Sequence, residues 1–272
     1  MPCDARPTQS RKLRGARSLK TMPIRYHIGI SDLKNGLEAY AKRFDFCELA
    51  IAADVRSTIE SPRTTPATAT LRRWRKVVPP HFDFCVVAPP ELGRLKAGPG
   101  FEMALAVSIA AINALQARTL LIRTPRDVTP ALVWRNRFAQ LLERLPRDST
   151  RIVWEPTGLW EGADAAVAAK NWGVVLCVDA ARDPVPHGDV AYVRLRALGE
   201  TRSFGESALE RVVVAIGAKR DAYVVIESTS ARREAGILKR IVESLALGAA
   251  GMRGGFGRVI RPKTALGADE EE

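Results

Sequence analysis

Short apolar segments alternate with longer helical segments along most of this chain, and few folds accommodate that order. Eight segments have strand length and are rich in apolar, β-branched or aromatic residues, as strands buried on both faces require. They are Tyr26–Ile30, Phe46–Ala52, Phe82–Ala88, Thr119–Arg123, Arg151–Glu155, Val174–Asp179, Val190–Leu195 and Tyr223–Glu227. Parallel neighbours need crossover connections, so helices between strands indicate a parallel sheet.

Seven segments have helical character: Leu37–Phe44, Thr68–Val78, Phe101–Gln116, Pro130–Leu145, Ala163–Trp172, Ser207–Lys219 and Ala231–Leu247. The Pro-rich link Ala180–Gly188 has no helical period. Ser207 is a candidate N-cap of its helix, because Glu210 follows it by three residues. Eight strands close a (β/α)8 barrel, so we predict an α/β protein with a single TIM-barrel-like (β/α)8 domain. An open doubly wound sheet is the alternative, but no G-x-G-x-x-G follows the first strand.

The positive charge is concentrated at the N-terminus. Of the net charge of +12, residues 1–25 supply +6, from seven Lys/Arg and one Asp. We predict a disordered basic tail over residues 1–24, the barrel over 25–247 and a partly ordered tail over 248–272. The basic tail could bind nucleic acid weakly and without sequence preference through phosphates, or be a solvated segment that precedes a true start at Met22.

The composition points to a cytoplasmic protein. No apolar run approaches the roughly 18 residues of a membrane-spanning helix, and Met1 to Lys20 contains no secretory core. Cys47, Cys85 and Cys177 lie within apolar strands, and Cys3 lies in the tail. We expect buried free thiols.

Alternation within each strand predicts which side chains face the barrel interior. When apolar residues are assigned to the helix side, charged residues remain for the interior. They are the carboxylates Glu48, Glu155, Asp179 and Glu227 and the guanidinium groups of Arg123, Arg194 and Arg196. Because unpaired buried charges are prohibitive, these groups form an ion-pair network or a ligand site near the carboxyl ends of the strands.

As a ligand site, the set has a definite assignment. Glu155 and Glu48 are the candidate catalytic residues; Arg194, Arg196, Asp179, Glu227, Arg123 and Trp160 are the candidate ligand-binding residues. We predict no metal site, because His81 and His187 precede their strands and lie at the other end, and no cofactor. Oligomeric state is left open.

Several motifs resemble the YecE-like family, the domain of unknown function 72. They include LEAYAKRF, FCELAIA, FDFCVVAP, WEPTGLW, AYVRL and DAYVVIE, in order, between about Ile24 and Leu247. The resemblance implies a TIM-barrel-like fold and no settled activity. Glu48, Glu155, Trp160, Asp179 and Arg194 occupy positions where family members keep those residue types.

The chain also departs from the family pattern. Val87 stands where the family has Lys, Thr157 where it has Arg, and Arg196 where it has His. Ala50 replaces an Asn, and Glu227 with Ser228 replaces an Asn pair. These changes leave three hypotheses: acid/base or hydrolytic chemistry on a small anionic or phosphorylated compound, a non-catalytic binding or scaffold protein, and nucleic-acid association through the tail.

Overall fold

The structure is a computed structural model that describes residues 24–30, 36–52, 67–198 and 202–254. Its eight parallel strands follow the order β1-β8-β7-β6-β5-β4-β3-β2. They are β1 (Arg25–Ile30), β2 (Phe46–Ala50), β3 (Asp83–Val87), β4 (Thr119–Thr124), β5 (Arg151–Pro156), β6 (Val175–Val178), β7 (Val190–Arg196) and β8 (Asp221–Glu227). All eight strands were predicted, and they form the expected TIM-barrel-like arrangement, nearly closed.

Helices connect most of the strands and cover the outside of the barrel. They are α1 (Leu37–Ala41), α2 (Thr68–Val77), α3 (Pro90–Gly93), α4 (Pro99–Leu115), α5 (Leu132–Glu143), α6 (Gly162–Trp172), α7 (Glu206–Ile216) and α8 (Ala231–Gly254). As predicted, the chain between β6 and β7 has no helix. None of the helices in the described ranges is long and apolar enough to cross a membrane.

Several helical details differ from the sequence-based expectation, and three of them concern α3, α7 and α8. The short α3 was not predicted, because the double proline before it reads as the end of a strand. The predicted cap at Ser207 is wrong: α7 begins one residue earlier, and Gly205 is its N-cap, without a side-chain hydrogen bond. The last helix continues to Gly254, beyond the expected end at Leu247. The predicted tails at 1–23 and 255–272 lie outside the described residues.

The predicted alternation of side chains is confirmed in the six strands for which it was assigned, β2 and β4 to β8. Residues assigned to the helix side, such as Leu49, Ile122 and Trp154, are buried in the large core between barrel and helices. A second apolar cluster fills the middle of the barrel: Phe46, Cys85, Val87, Leu121, Val153, Cys177, Tyr192, Tyr223 and Val225. We call this cluster the middle layer. It separates charged groups at the two ends of the barrel.

Three cysteines are buried free thiols, as predicted. Cys47 belongs to the outer core, and Cys85 and Cys177 belong to the middle layer. Burial raises the pKa of Cys85 to about 12 and that of Cys177 well above its ordinary value. Because the thiolate is the reactive form, these thiols serve packing rather than nucleophilic chemistry. Cys3 lies outside the described residues.

The first two strands are joined differently from the others. Seven parallel ladders link the strands from β2 round to β1, and the described backbone shows none between β1 and β2. There, the Tyr40 hydroxyl accepts a hydrogen bond from Ile30 N (2.9 Å) and donates one to Phe46 O (2.9 Å). Gly29 permits the close approach, since a Cβ there would lie 2.6 Å from Phe46 O. A side-chain hydroxyl therefore closes the seam between β1 and β2.

Removal of the Tyr40 hydroxyl tests this closure. Tyr40→Phe leaves Ile30 N and Phe46 O unpaired in a buried setting, so we expect the free energy of unfolding to fall by about 1–3 kcal/mol. Tyr26→Phe is the matched control, because the buried Tyr26 hydroxyl has no hydrogen-bond partner among the described residues. This control should be neutral or slightly stabilising. Urea unfolding of both variants measures the difference, and equal losses would contradict the role of Tyr40.

Candidate functional site

Six of the predicted interior residues meet at the carboxyl ends of the strands. Glu48 comes from β2, Arg123 from β4, Glu155 from β5, Arg194 and Arg196 from β7, and Glu227 from β8. The set contains three carboxylates and three guanidinium groups, so its formal charge is balanced. We call these six residues the mouth network. It lies directly above the middle layer.

Arg194 is the centre of the mouth network. Its side chain is 4% exposed, and its Nη2 lies 2.5 Å from Glu48 Oε2 and 2.7 Å from Glu227 Oε1. Its Nη1 lies 3.3 Å from Glu155 Oε2. The remaining buried donor, Nε, has no partner among the described residues. One guanidinium group thus contacts all three carboxylates and keeps one donor unused.

Glu155 is surrounded by positive charge. Its Oε2 accepts a hydrogen bond from Arg123 Nε at 2.7 Å, and its Oε1 is paired with Arg196 Nη2. Arg194 is its third partner. Arg196 Nε also lies 3.2 Å from Glu227 Oε2. The Glu155 oxygens are therefore occupied by guanidinium donors, which suits a carboxylate that positions arginines.

Arg123 and Arg196 extend from the network towards solvent. The side chain of each is 43% exposed, whereas that of Glu155 is 6% exposed. The backbone near Arg123 is held by α3, since a Cβ on Gly93 would lie 1.8 Å from Arg123 O. Each of these guanidinium groups has further N–H donors, which match the oxygens of a carboxylate or phosphate.

Glu48 is the carboxylate whose protonation is most altered. Its Oε1 accepts a hydrogen bond of 2.5 Å from the Tyr192 hydroxyl. Burial raises the pKa of Glu48 from 4.5 to about 7, although the Tyr192 hydrogen bond and the charge of Arg123 oppose the rise. Tyr192 was not predicted as a site residue, although it alternates with Arg194 in β7 and so faces the same side of the strand.

Asp179 lies beside the mouth network and organises the loop after β6. Its Oδ1 accepts a hydrogen bond from Ala181 N (3.1 Å), and its Oδ2 is paired with Arg182 Nη1. Arg182 also donates to Arg196 O at 2.8 Å. The described contacts of Asp179 thus support the backbone of Arg196. Arg182 was not predicted, because it lies in an irregular segment without alternation.

Trp160 lies apart from the other predicted site residues. The chain turns at Gly158, which has φ +85°, and Trp160 packs edge-on against the outward-facing Trp154 at 4.8 Å. Its Nε1 donates to Val128 O at 2.9 Å, and Arg135 lies over its ring. Trp160 therefore belongs to the outer core around β5, and its predicted ligand-binding role has no support from this position.

The described residues contain no group of three or more His, Cys, Asp or Glu side chains arranged to hold a metal ion. His27 stacks on Tyr223 at 4.4 Å near Asp221, which begins β8, and His81 lies near Asp45, before β2. Both are thus at the amino ends of the strands. Neither of these two histidines belongs to the mouth network.

Eight parallel strands around a packed interior, with charged groups at their carboxyl ends, define a TIM-barrel-like protein. The family described as "Protein of unknown function DUF72" matches residues 24–254. The chain therefore belongs to the DUF72 family. No curated protein matches the chain.

Solved structures agree with this placement. A DUF72 family protein from Thermotoga maritima MSB8 is 16% identical, with a TM-score of 0.57 over 80% of this chain and 99% of its own. One from Enterococcus faecalis V583 is 14% identical, with a TM-score of 0.59 over 80% and 95%. A D-tagatose 3-epimerase-like protein is 14% identical, with a TM-score of 0.52 over 82% and 99%. At these identities the likeness shows the fold.

The raised pKa of Glu48 predicts a pH-dependent stability. Its value of about 7 in the folded protein exceeds the ordinary 4.5, so the folded state binds this proton more tightly than the unfolded chain. The resulting stabilisation is complete below pH 4.5 and is lost as the pH rises through about 7. Glu48→Gln should therefore gain stability relative to the parent over this interval, by up to about 3 kcal/mol.

Urea unfolding at a series of pH values measures this difference. The control is Glu210→Gln, which alters an exposed carboxylate on α7 and should leave the parent's pH profile unchanged. A difference between Glu48→Gln and the parent that stays constant with pH would show that Glu48 does not titrate in this range.

Proposed function

We propose that the mouth network binds a small anionic or phosphorylated compound and carries out acid/base or hydrolytic chemistry on it. The observation that carries the proposal is the combination, in one cluster, of half-exposed arginines with a carboxylate whose pKa is close to neutrality. A general acid or base works best when its pKa lies near the operating pH. Barrel enzymes place such groups at the carboxyl ends of the strands.

The contacts divide the roles among the residues. Arg123 and Arg196 would hold the anion, because each is partly exposed and has donors beyond those used by Glu155. The unpaired Arg194 Nε adds a buried donor. Glu48 would transfer the proton, whereas Glu155, with three guanidinium partners, would position the arginines. The acid/base role predicted for Glu155 is thus better suited to Glu48.

Substitutions at these positions separate binding from chemistry. A panel of phosphorylated and carboxylated small molecules is screened by thermal shift for binding and by NMR for conversion. For a compound that is bound and converted, Arg196→Gln should weaken binding about tenfold or more. Glu48→Gln should slow turnover by about 10²–10⁴-fold with little change in Kd.

The control for charge loss is Arg72→Gln on the exposed face of α2, which should change neither the Kd of the compound nor its turnover rate. Full turnover in Glu48→Gln would show that Glu48 is not the acid/base residue. If Glu155→Gln alone abolishes turnover while binding persists, Glu155 is the acid/base instead. A compound that binds through Arg196 and is never converted supports the alternative, a non-catalytic binding protein descended from a barrel enzyme.

Nucleic-acid association through the N-terminal segment remains a separate proposal, supported by the +6 charge of residues 1–25. Deletion of residues 1–21 should abolish salt-sensitive retention on a DNA column. Retention that is unchanged by the deletion would assign DNA binding to the barrel. The cytoplasmic location is likewise a proposal, which fractionation of cells that produce the protein can check.

A further inference from the structure

A concave region lies at the end of the barrel opposite the mouth network, where the strands begin. A cavity of about 830 Å³ opens there, and five arginines line it: Arg25, Arg118, Arg147, Arg151 and Arg220. The only carboxylates among the described lining residues are Asp148 and Asp221. We call this region the basic cavity. The middle layer separates it from the mouth network.

Only part of its positive charge is neutralised by ion pairs. Asp221 pairs with Arg25 at 2.7 Å and with Arg220 at 3.0 Å. Arg118 Nε lies 3.8 Å from an oxygen of Asp83, which is a long contact, and its side chain is 60% exposed. Burial lowers the pKa of His27, so this residue adds no charge at neutral pH.

Two arginines of the cavity have no carboxylate partner in the described part of the chain. Arg147 is anchored by a hydrogen bond from Nη2 to Trp172 O at 2.6 Å. Arg151 donates to the Tyr223 hydroxyl at 3.4 Å, and its guanidinium group lies 5.9 Å from the centre of that ring. Tyr223 in turn donates to Asp83 Oδ2 at 3.0 Å. Neutral partners thus orient these cations and leave their charge uncompensated.

A buried hydroxyl adds an independent observation. Thr150 lines the cavity and is 2% exposed, and its Oγ1 has no hydrogen-bond partner among the described residues. Buried polar groups without partners are rare, because each one forfeits its hydrogen bonds to water. The wall beside Arg151 therefore combines uncompensated guanidinium groups with an unused hydroxyl.

We propose that the basic cavity binds a small anion with at least two linked phosphate groups, such as pyrophosphate or a nucleoside diphosphate. Its volume falls within the range of about 300–1,000 Å³ that is usual for small-molecule sites. Arginine matches phosphate oxygens with two parallel hydrogen bonds. The five arginines exceed the three carboxylates in or beside the cavity, Asp83, Asp148 and Asp221, by two charges, which is more than a single monoanion needs. A concave site favours a small ligand over an extended nucleic-acid backbone.

Calorimetric titration of the full chain with inorganic pyrophosphate at low salt tests this proposal. The double variant Arg118→Gln/Arg151→Gln should bind at least about tenfold more weakly than the parent, since each lost charge-assisted hydrogen bond is worth a factor of this order. Arg147 is left intact because it also anchors the end of α6. Circular dichroism and thermal unfolding establish that the variant is folded.

The matched control Arg72→Gln/Arg211→Gln removes the same charge from exposed positions of α2 and α7 and should retain parental affinity. Pyrophosphate binding that is lost in Arg196→Gln but kept in Arg118→Gln/Arg151→Gln would belong to the mouth network and would also overturn the proposal. No pyrophosphate binding by the parent, or an equal loss in the control, would overturn the proposal.

The source of the diphosphate group is resolved by a parallel titration with ADP. Equal affinities for pyrophosphate and ADP, both lost in Arg118→Gln/Arg151→Gln, identify the diphosphate group itself as the ligand. A tighter, equally arginine-dependent affinity for ADP identifies a nucleotide site. If a DNA duplex binds through Arg118 and Arg151 and pyrophosphate does not displace it, the cavity is a nucleic-acid surface and the proposal is wrong.

Discussion

The interior of this barrel depends on the guanidinium group of Arg194. Three glutamates, from β2, β5 and β8, converge on one buried side chain of β7. Without the Arg194 guanidinium group, the buried carboxylates of Glu48 and Glu155 would each lose a positively charged partner, which is strongly unfavourable for a buried charge. The other arginines complete the compensation and project outward. The same cluster therefore neutralises the buried carboxylates and presents free N–H donors of its arginines to solvent.

Two departures from the family pattern compensate each other within this cluster. The resemblance implies a His at the position of Arg196 and an Asn at the position of Glu227. Arg196 Nε lies 3.2 Å from Glu227 Oε2, so the added negative charge contacts the added positive charge. The two positions at which the chain departs from the implied pattern are therefore in direct contact.

Alternation made most of the barrel predictable from the sequence. Successive side chains of a strand point to opposite faces. Because Ile122 and Trp154 face the helices, the residues that follow them, Arg123 and Glu155, face the barrel interior. The same rule identified Glu48 and Arg194. The rule fails beyond the strand ends: Trp160 follows the turn at Gly158 and packs outside the barrel. The raised pKa of Glu48 was also out of reach, since it depends on burial rather than on residue type.

The basic cavity could not be predicted from the sequence, for a related reason. Arg118 and Arg220 precede their strands, and Arg147 lies in the loop before β5, where no periodicity sets direction. Its charges come from connections far apart in the chain and meet only when the barrel closes. Sequence patterns therefore predict the direction of side chains within the strands better than in the loops at the strand ends.

The seam between β1 and β2 has a mechanical consequence. Backbone ladders join seven neighbouring pairs of strands, whereas the described residues join β1 to β2 through the hydroxyl of Tyr40. Backbone ladders must break in concert, whereas a single side chain can rotate away by itself. This side therefore depends more on a single side chain than the sides that have backbone ladders. Glu48 follows Phe46 by two residues in β2, so the strand that carries the carboxylate with the raised pKa is also the strand that Tyr40 joins to β1.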